Sequence, residues 1–265
     1  MKIRDYLSRF IYKFSTFIRP KRFKADSQDI FLISYPRSGN TWVRVILAEL
    51  LYGESGESLK DLEYYIPDIH FKSLRENVID SKFHFIKSHN PYMVERDFGK
   101  YKKVIYLIRD PRDIVLSHYR YLKARGYTDE FHQFVYDWVT GRIWPTSWHS
   151  HINSWTGPGI ENAKIELLIM RYEDLLSDTY KNIKKIMEFA GLQPNSTAIK
   201  KALKNSSITE MRKKENRGMR KGENRSEMQF IGEAKNNIWI NQLTPEQAEL
   251  IQQFANKEME KFGYL

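Results

Sequence analysis

The stretch DIFLISYPRSGNTW, residues 29–42, joins an apolar run to a turn of small polar residues. The apolar part predicts a buried strand, and a helical pattern follows at 40–52. A glycine and hydroxyl residues between a strand and a helix are typical of a phosphate-binding loop. Gly39 and Thr41 match the end of the common loop G-x-x-x-x-G-K-[ST], but Asn40 replaces its lysine. The stretch therefore predicts an anion site without the lysine of ATP and GTP enzymes.

The rest of the chain alternates apolar runs with helical patterns. Strands are predicted at 30–34, 83–87, 103–108 and 164–170, and helices at 40–52, 112–124, 179–190, 196–204 and 245–262. A tryptophan-rich insertion at 136–160 precedes the fourth strand, and a loop is predicted at 215–227. This order predicts one α/β domain with a central parallel sheet flanked by helices.

Composition narrows the class of protein. The 265 residues are 41% hydrophobic and include no cysteine, which excludes disulfides, thiolate catalysis and cysteine-bound zinc. No apolar stretch reaches the roughly 18 residues of a membrane span, and no signal peptide is visible. We therefore expect a cytoplasmic protein, either free or peripheral at a membrane surface.

The net charge of +10 is concentrated at the start of the chain. Eight lysines and arginines lie in the first 25 residues, against Asp5 alone. The pattern therefore predicts that residues 1–28 form a basic amphipathic arm, separate from the domain at 29–265. Its helix either packs on the domain or contacts an anionic membrane through residues 1–20. Partners that carry phosphate or sulfate groups are favoured.

Cationic or titratable side chains follow all four predicted strands. Arg37 follows the first strand, Lys87 and His89 the second, Arg109 the third and Arg171 the fourth. Ligands of open parallel sheets bind beyond the carboxyl ends of the strands. The convergence predicts a site for a polyanion at this edge of the sheet.

Three motifs lie at these strand ends: YPRSGNTW at 35–42, KSH at 87–89 and RDPRD at 109–113. Together they resemble motifs of the PAPS-dependent sulfotransferases, in a cytosolic-type domain of bacterial-like form. PAPS is 3′-phosphoadenosine 5′-phosphosulfate. Residues 35–42, YPRSGNTW, resemble the family's 5′-phosphosulfate loop, and residues 109–113, RDPRD, with Ser117 are similar to its 3′-phosphate segment. Residues 87–89, KSH, match the element that bears the family's catalytic lysine and histidine.

Four further matches follow in the family's order, so that the resemblance runs from about residue 29 to the C-terminus. Residues 147–155 fit S-W-x-x-H-[VI]-x-x-W, and 171–174, RYED, fit the strand end whose tyrosine approaches adenine. Residues 206–211 resemble the T-S-F-x-x-M segment beside the base, and 220–222 match the R-K-G loop that closes on the 3′-phosphate.

The resemblance implies transfer of a sulfuryl group from PAPS to a hydroxyl or amine acceptor, with adenosine 3′,5′-bisphosphate as the second product and no metal. His89 would be the general base, and Lys87 and Arg37 would stabilise the developing charge. The implied donor contacts are Arg37, Ser38, Gly39, Asn40, Thr41, Trp42, Arg109, Ser117, Tyr172, Ser206, Ile208, Arg220, Lys221 and Gly222. We place Tyr35, Trp148 and His151 at the acceptor pocket.

Two departures from the family pattern limit what it implies. Residues 223–228, ENRSEM, replace the usual x-x-G-D-W-[KR], so that the closing loop is expected to fold differently. The dimerisation motif K-x-x-x-T-V-x-x-x-E is absent, which leaves the oligomeric state open. The acceptor is also open among small molecules, glycans and lipid-linked hydroxyls.

Two other functions compete with this interpretation. A nucleoside or nucleotide kinase shares the strand–loop–helix start and predicts dependence on ATP and Mg²⁺, but Asn40 speaks against it. A nucleic-acid-binding protein would use the arm and the basic cluster at 212–225. The chain contains no recognisable nucleic-acid module, and we expect no nucleic acid as partner.

Overall fold

The computed structural model of the protein describes residues 28–69, 84–97, 99–193, 195–218, 231–232 and 235–265. The predicted membrane contact at 1–20 and nearly all of the arm at 1–28 lie outside the described residues. So do the predicted donor contacts Arg220, Lys221 and Gly222 and the departing loop at 223–228.

Four parallel strands form one sheet in the described part of the chain. They are β1 (Asp29–Ser34), β2 (His84–Ser88), β3 (Lys103–Ile108) and β4 (Glu166–Arg171), in the spatial order β2-β1-β3-β4. The chain runs from β1 to β2 on one side and then crosses to β3 on the other, which makes the end of β1 a topological switch point. The prediction of an α/β domain with a parallel sheet is confirmed.

Helices cover both faces of this sheet. They are α1 (Asn40–Tyr52), α2 (Leu62–Tyr65), α3 (Val94–Asp97), α4 (Pro111–Lys123), α5 (Phe131–Val139), α6 (Trp148–Thr156), α7 (Tyr172–Ser177), α8 (Thr179–Phe189), α9 (Ser196–Asn205), α10 (Ile208–Gly218) and α11 (Pro245–Lys261). Short 3-10 turns lie at Leu59–Asp61, Pro158–Ala163 and Ile238–Asn241. No helix among the described residues is long and apolar enough to cross a membrane.

Side chains that alternate along β1 separate the core into two layers. Phe31 and Ile33 pack into one layer, and Ile30 and Leu32 into the other. All six residues of β1 are buried, because helices lie on both faces of the sheet. The strand is therefore a rigid base for the loop that follows it.

Two sequence predictions need correction. The loop predicted at 215–227 starts too early, because α10 is anchored by the buried side chain of Met211 and continues to Gly218. The insertion at 136–160, whose position made it a candidate wall of the acceptor pocket, belongs mostly to the core, since it holds the end of α5 and all of α6, and Trp138, Trp148 and Trp155 are almost fully buried.

Candidate active site

A cavity of about 1100 Å³ opens beyond the carboxyl ends of β1, β2 and β3. This is the position that the switch point at β1 predicts for a ligand. The sequence-predicted residues that line the cavity are Arg37, Gly39, Asn40, Thr41, Trp42, Lys87, His89, Arg109, Ser117, Tyr172, Ser206 and Ile208. The structure thus brings most of the predicted donor and catalytic residues together.

The loop between β1 and α1 holds an unusual backbone conformation. Arg37 and Gly39 both have a positive φ, of 73° and 90°. A Cβ added at Gly39 would lie 2.6 Å from Cδ2 of Tyr172, closer than any real contact. Position 39 therefore requires glycine for two reasons: the backbone is left-handed, and the Tyr172 ring approaches it closely. Behind the loop, Ser38 is fully buried, and its hydroxyl has no partner among the described residues.

Asn40 stands at the position that the lysine has in the common phosphate-binding loop. Its side-chain Nδ2 donates to Leu32 O and to Ser34 Oγ, each at 3.2 Å. Asn40 is 5% exposed, so it ties the start of α1 to the end of β1 and does not reach across a ligand as a lysine would. The amides at the N-terminus of α1 still favour an anion at this end of the cavity.

His89 is held in one orientation by the end of β1. Its Nδ1 lies 2.7 Å from Ser34 O and 3.3 Å from Ser34 Oγ. Because a carbonyl oxygen can only accept, this contact assigns the proton to Nδ1 and leaves the lone pair on Nε2. Burial and then the charge of Lys87 hold the pKa of His89 well below its ordinary value. The ring is therefore neutral near neutral pH, and the lone pair on Nε2 can take the proton that a hydroxyl releases in the transition state.

His151 contacts the backbone of His89 from the core side. Tyr106 donates its hydroxyl to His151 Nδ1 at 2.8 Å, and His151 Nε2 lies 3.1 Å from His89 O. Burial lowers the pKa of His151 to about 4, so the ring is neutral, with Nε2 as the donor. His151 therefore supports the backbone at His89.

The three residues predicted for the acceptor pocket do not line the cavity. Tyr35, Trp148 and His151 are each at most 1% exposed. Tyr35 donates to Thr146 O at 2.9 Å, and Trp148 donates to Arg109 O at 3.2 Å. The spacing of Trp148, His151 and Trp155 puts them on one helix face, and that face packs into the core. The helical spacing of Trp148, His151 and Trp155 could have identified these three as packing residues from the sequence.

Lys87 forms an ion pair with Asp68 at the end of β2. The lysine side chain is only 13% exposed and the aspartate side chain 21%. Burial lowers the pKa of Lys87 from its ordinary value, and the neighbouring Asp68 carboxylate opposes this shift. The pair places a positive charge two residues from His89 on the same strand.

Several arginine side chains lie close together on the other side of the cavity from Lys87. Arg37 Nε donates to Ser117 Oγ at 3.0 Å, and its guanidinium lies 5.1 Å from the centre of the Tyr121 ring. Burial lowers the pKa of Arg37 to about 10; Tyr121 opposes this shift, and Arg109 and Arg125 add to it. This crowding of positive charge favours a bound anion.

Arg109 links this cluster to an aromatic wall. Its guanidinium lies 4.3 Å from the centre of the Tyr172 ring, with Asp113 at 3.8 Å. The rings of Tyr172 and Trp42 meet edge to face at 6.1 Å, and Trp42 Nε1 donates to Ser206 O at 3.2 Å. The flat ring of a ligand can pack against Trp42 and Tyr172, while charged groups attached to that ring reach the arginines.

Arg171 does not join the site, although it follows a strand end as predicted. It lies 3.9 Å from Glu173, and its guanidinium stacks 4.6 Å from the centre of the Tyr264 ring. Its partner Tyr264 is near the C-terminus, so the local sequence gave no sign of this contact. The structure therefore unites three of the four cationic strand ends.

Many residues that line the cavity were not predicted as site residues from the sequence. Asp68, Tyr121, Arg125 and Trp144 are among them. Tyr121 and Arg125 follow Ser117 by one and two helical turns, a spacing that could have identified them. Asp68 and Trp144 carry no such signal. In the described residues, no cluster of three or more His, Cys, Asp or Glu side chains could hold a metal.

Comparison with known proteins identifies the family. Rat sulfotransferase 1E1 is 26% identical over 204 residues, which cover 72% of this chain and 68% of that protein. The 3-alpha-hydroxysteroid sulfotransferase of Cavia porcellus is 30% identical over 205 residues, covering 73% and 69%. The crystal structure of mouse sulfotransferase SULT7A1 complexed with PAP aligns with a TM-score of 0.67 and 25% identity, over 90% of this chain and 86% of that one. Residues 27–263 match the sequence model of the sulfotransferase domain, so the chain belongs to the sulfotransferase family.

Proposed function

We propose that this sulfotransferase moves the sulfuryl group of PAPS onto a hydroxyl of a small-molecule acceptor, with His89 as the general base. Family membership supports the reaction class, and the solved complex of the mouse relative with PAP supports the donor. The observation that carries the proposal is the fixed tautomer of His89, whose Nδ1 faces Ser34 O at 2.7 Å while Nε2 keeps its lone pair. Lys87 lies beside it on the same strand.

The step that these residues would assist is an in-line displacement at sulfur. A bond forms between the acceptor oxygen and sulfur while the bond from sulfur to the 5′-phosphate oxygen breaks, which releases adenosine 3′,5′-bisphosphate. His89 Nε2 takes the hydroxyl proton. Lys87 and Arg37 supply positive charge to the oxygens that become more anionic, in a cavity where burial strengthens their effect.

Donor recognition would fall to the opposite side of the cavity. Arg109 and Ser117 would hold the 3′-phosphate, since both line the cavity near Arg37 and neither lies on the strand of His89. Trp42 and Tyr172 would border the adenine ring. A donor without the 3′-phosphate would leave the crowded arginines less well neutralised.

This assignment predicts a preference among nucleotides. Adenosine 3′,5′-bisphosphate should raise the melting temperature of the protein well above the effect of AMP or of ATP with Mg²⁺, and a chelator should change nothing. In Arg109→Ala, the difference between adenosine 3′,5′-bisphosphate and AMP should shrink. Because that difference is measured within one variant, any loss of stability cancels. A thermal shift obtained only with ATP and Mg²⁺ would favour a kinase and contradict the proposal.

The acceptor class is supported by the relatives. Hydroxysteroid sulfotransferases among them act on small hydroxyl compounds, as their names state. The acceptor of this chain could also be presented at a lipid surface, because residues 1–20 carry a basic amphipathic pattern. We propose this contact from the sequence alone, as an addition to the sulfotransferase function.

The membrane contact predicts sedimentation with charged vesicles. The full chain should pellet with phosphatidylserine vesicles, whereas a truncation that begins at Ala25 should stay in solution, because it lacks eight cationic side chains. Neutral phosphatidylcholine vesicles are the control. Equal pelleting of both proteins, or of neither, would show that residues 1–20 are not a membrane contact.

A further inference from the structure

We propose that Asp68 is a positioning residue of this enzyme, which fixes the Lys87 ammonium group at the transfer site and provides its counter-charge. The inference rests on the proposed function, because it needs Lys87 to act on the sulfuryl group. Asp68 lies outside every motif that the sequence resemblance covers, and 19 residues separate it from Lys87.

The backbone holds Asp68 directly opposite Lys87. Asp68 and Lys87 form a parallel β-bridge that continues the sheet past β2. Lys87 N donates to Pro67 O and Ile69 N donates to Lys87 O, both at 2.8 Å. Asp68 N in turn donates to Glu63 Oε2 at 2.7 Å. These three hydrogen bonds leave the aspartate little freedom to move away from the lysine.

The side chains meet at the cavity wall and not at the free surface. Both Asp68 and Lys87 line the cavity, and their side chains are 21% and 13% exposed. An exposed ion pair contributes little, because water screens it and its side chains are mobile. Here burial removes much of that screening, so the loss of one partner leaves a poorly solvated charge.

The charges around Lys87 make Asp68 its main counter-charge. Within the described parts of the chain, the titratable and charged groups that face Lys87 are Asp68, Glu63, Arg44 and, two residues along the strand, His89. Glu63 already pairs with Arg44 at 2.9 Å. Burial and Arg44 lower the pKa of Lys87, and the Asp68 carboxylate is the largest influence that raises it.

This arrangement suits a cation that must stay charged while it serves a substrate. An ammonium group has three donors, and one contact to Asp68 leaves the others for sulfuryl oxygens. Residues 87 and 89 alternate along an extended strand, so both can face the same ligand. Asp68 would therefore keep the positive charge beside the base before the donor arrives.

The test is the pH dependence of kcat/KM for PAPS, which reports groups of the free enzyme. Asp68→Asn keeps the shape and removes the charge. Without the carboxylate, the Lys87 ammonium loses its proton at lower pH, so the alkaline limb should move down by about one unit or more. Asp68→Glu should restore most of the wild-type profile. The affinity for adenosine 3′,5′-bisphosphate, measured by calorimetry, should stay unchanged in both variants.

Three controls separate the possible outcomes. Glu188→Gln breaks an exposed lysine–carboxylate pair on α8 and should leave the profile unchanged. Lys87→Arg should abolish the alkaline limb, because a guanidinium does not titrate in this range. Asp68→Ser is a second neutral variant in case Asp68→Asn does not fold.

An unshifted alkaline limb in the neutral variants, with the limb still lost in Lys87→Arg, would overturn the role of Asp68 alone. Full activity in Lys87→Ala would instead overturn the proposed function. The two failures are thus distinguishable.

Discussion

The variant His89→Asn is expected to transfer sulfuryl groups about 10²–10⁴-fold more slowly than the wild type, the usual cost of removing a general base. Asparagine can still donate to Ser34 O in place of Nδ1, but its amide cannot take a proton at neutral pH. The loss should fall on kcat, because the proton moves only in the transition state. Initial rates of label transfer from PAPS, at saturating donor, measure the effect.

Donor binding provides the internal control for this variant. Calorimetry should give nearly the same affinity for adenosine 3′,5′-bisphosphate in His89→Asn and in the wild type, since the phosphate contacts lie on Arg37, Arg109 and Ser117. His132→Asn is a matched substitution at an exposed histidine of α5 and should retain full activity. A near wild-type rate in His89→Asn would place the base elsewhere.

Gly39→Ala is expected to weaken donor binding by about tenfold or more. The left-handed backbone costs a residue with a Cβ roughly 1–2 kcal/mol, and each 1.4 kcal/mol or so is a factor of ten in affinity. In addition, the new methyl would lie 2.6 Å from the Tyr172 ring, so that the loop and the aromatic wall cannot keep their present contact. Calorimetry with adenosine 3′,5′-bisphosphate measures the loss.

Gly53 offers a matched control for this substitution. It ends α1 with a φ of 79°, similar to that of Gly39, and nothing lies within 4 Å of an added Cβ. Gly53→Ala should lower the melting temperature through backbone strain and leave donor affinity unchanged. If both variants bound the donor as well as the wild type, the loop would not be the donor site.

Local patterns predicted the fold well, because apolar runs and helical spacing are local signals. The bounds of α1, Asn40–Tyr52, agree with the predicted 40–52, those of β3 agree with the predicted 103–108, and the other strands differ by one or two residues at their ends. The spatial order of the strands was not predicted, because long connections separate them: residues 35–83 lie between β1 and β2, and residues 109–165 between β3 and β4. The cavity could be predicted without that order, because the carboxyl ends of parallel strands lie at one edge of the sheet.

Contacts between distant residues were the part that local patterns could not predict. Arg171 packs against Tyr264 and therefore lies outside the site. Lys87 forms an ion pair with Asp68, which lies in the connection between β1 and β2. The tryptophan-rich insertion was misplaced for a different reason. It was assigned to the acceptor pocket by its position in the chain, whereas the helical spacing of Trp148, His151 and Trp155 determines which side faces the core.

Transfer of labelled sulfuryl from PAPS tests the central claim most directly. The wild type and His89→Asn would be compared at equal donor occupancy, with a chelator present and with a panel of small hydroxyl acceptors that includes steroids and phenols. A parallel reaction would contain ATP labelled at its γ-phosphate. We predict that the wild type forms a labelled sulfate ester, that His89→Asn forms about 10²–10⁴-fold less, and that no label is transferred from ATP. Equal transfer by the two proteins, or label transferred only from ATP, would contradict the account.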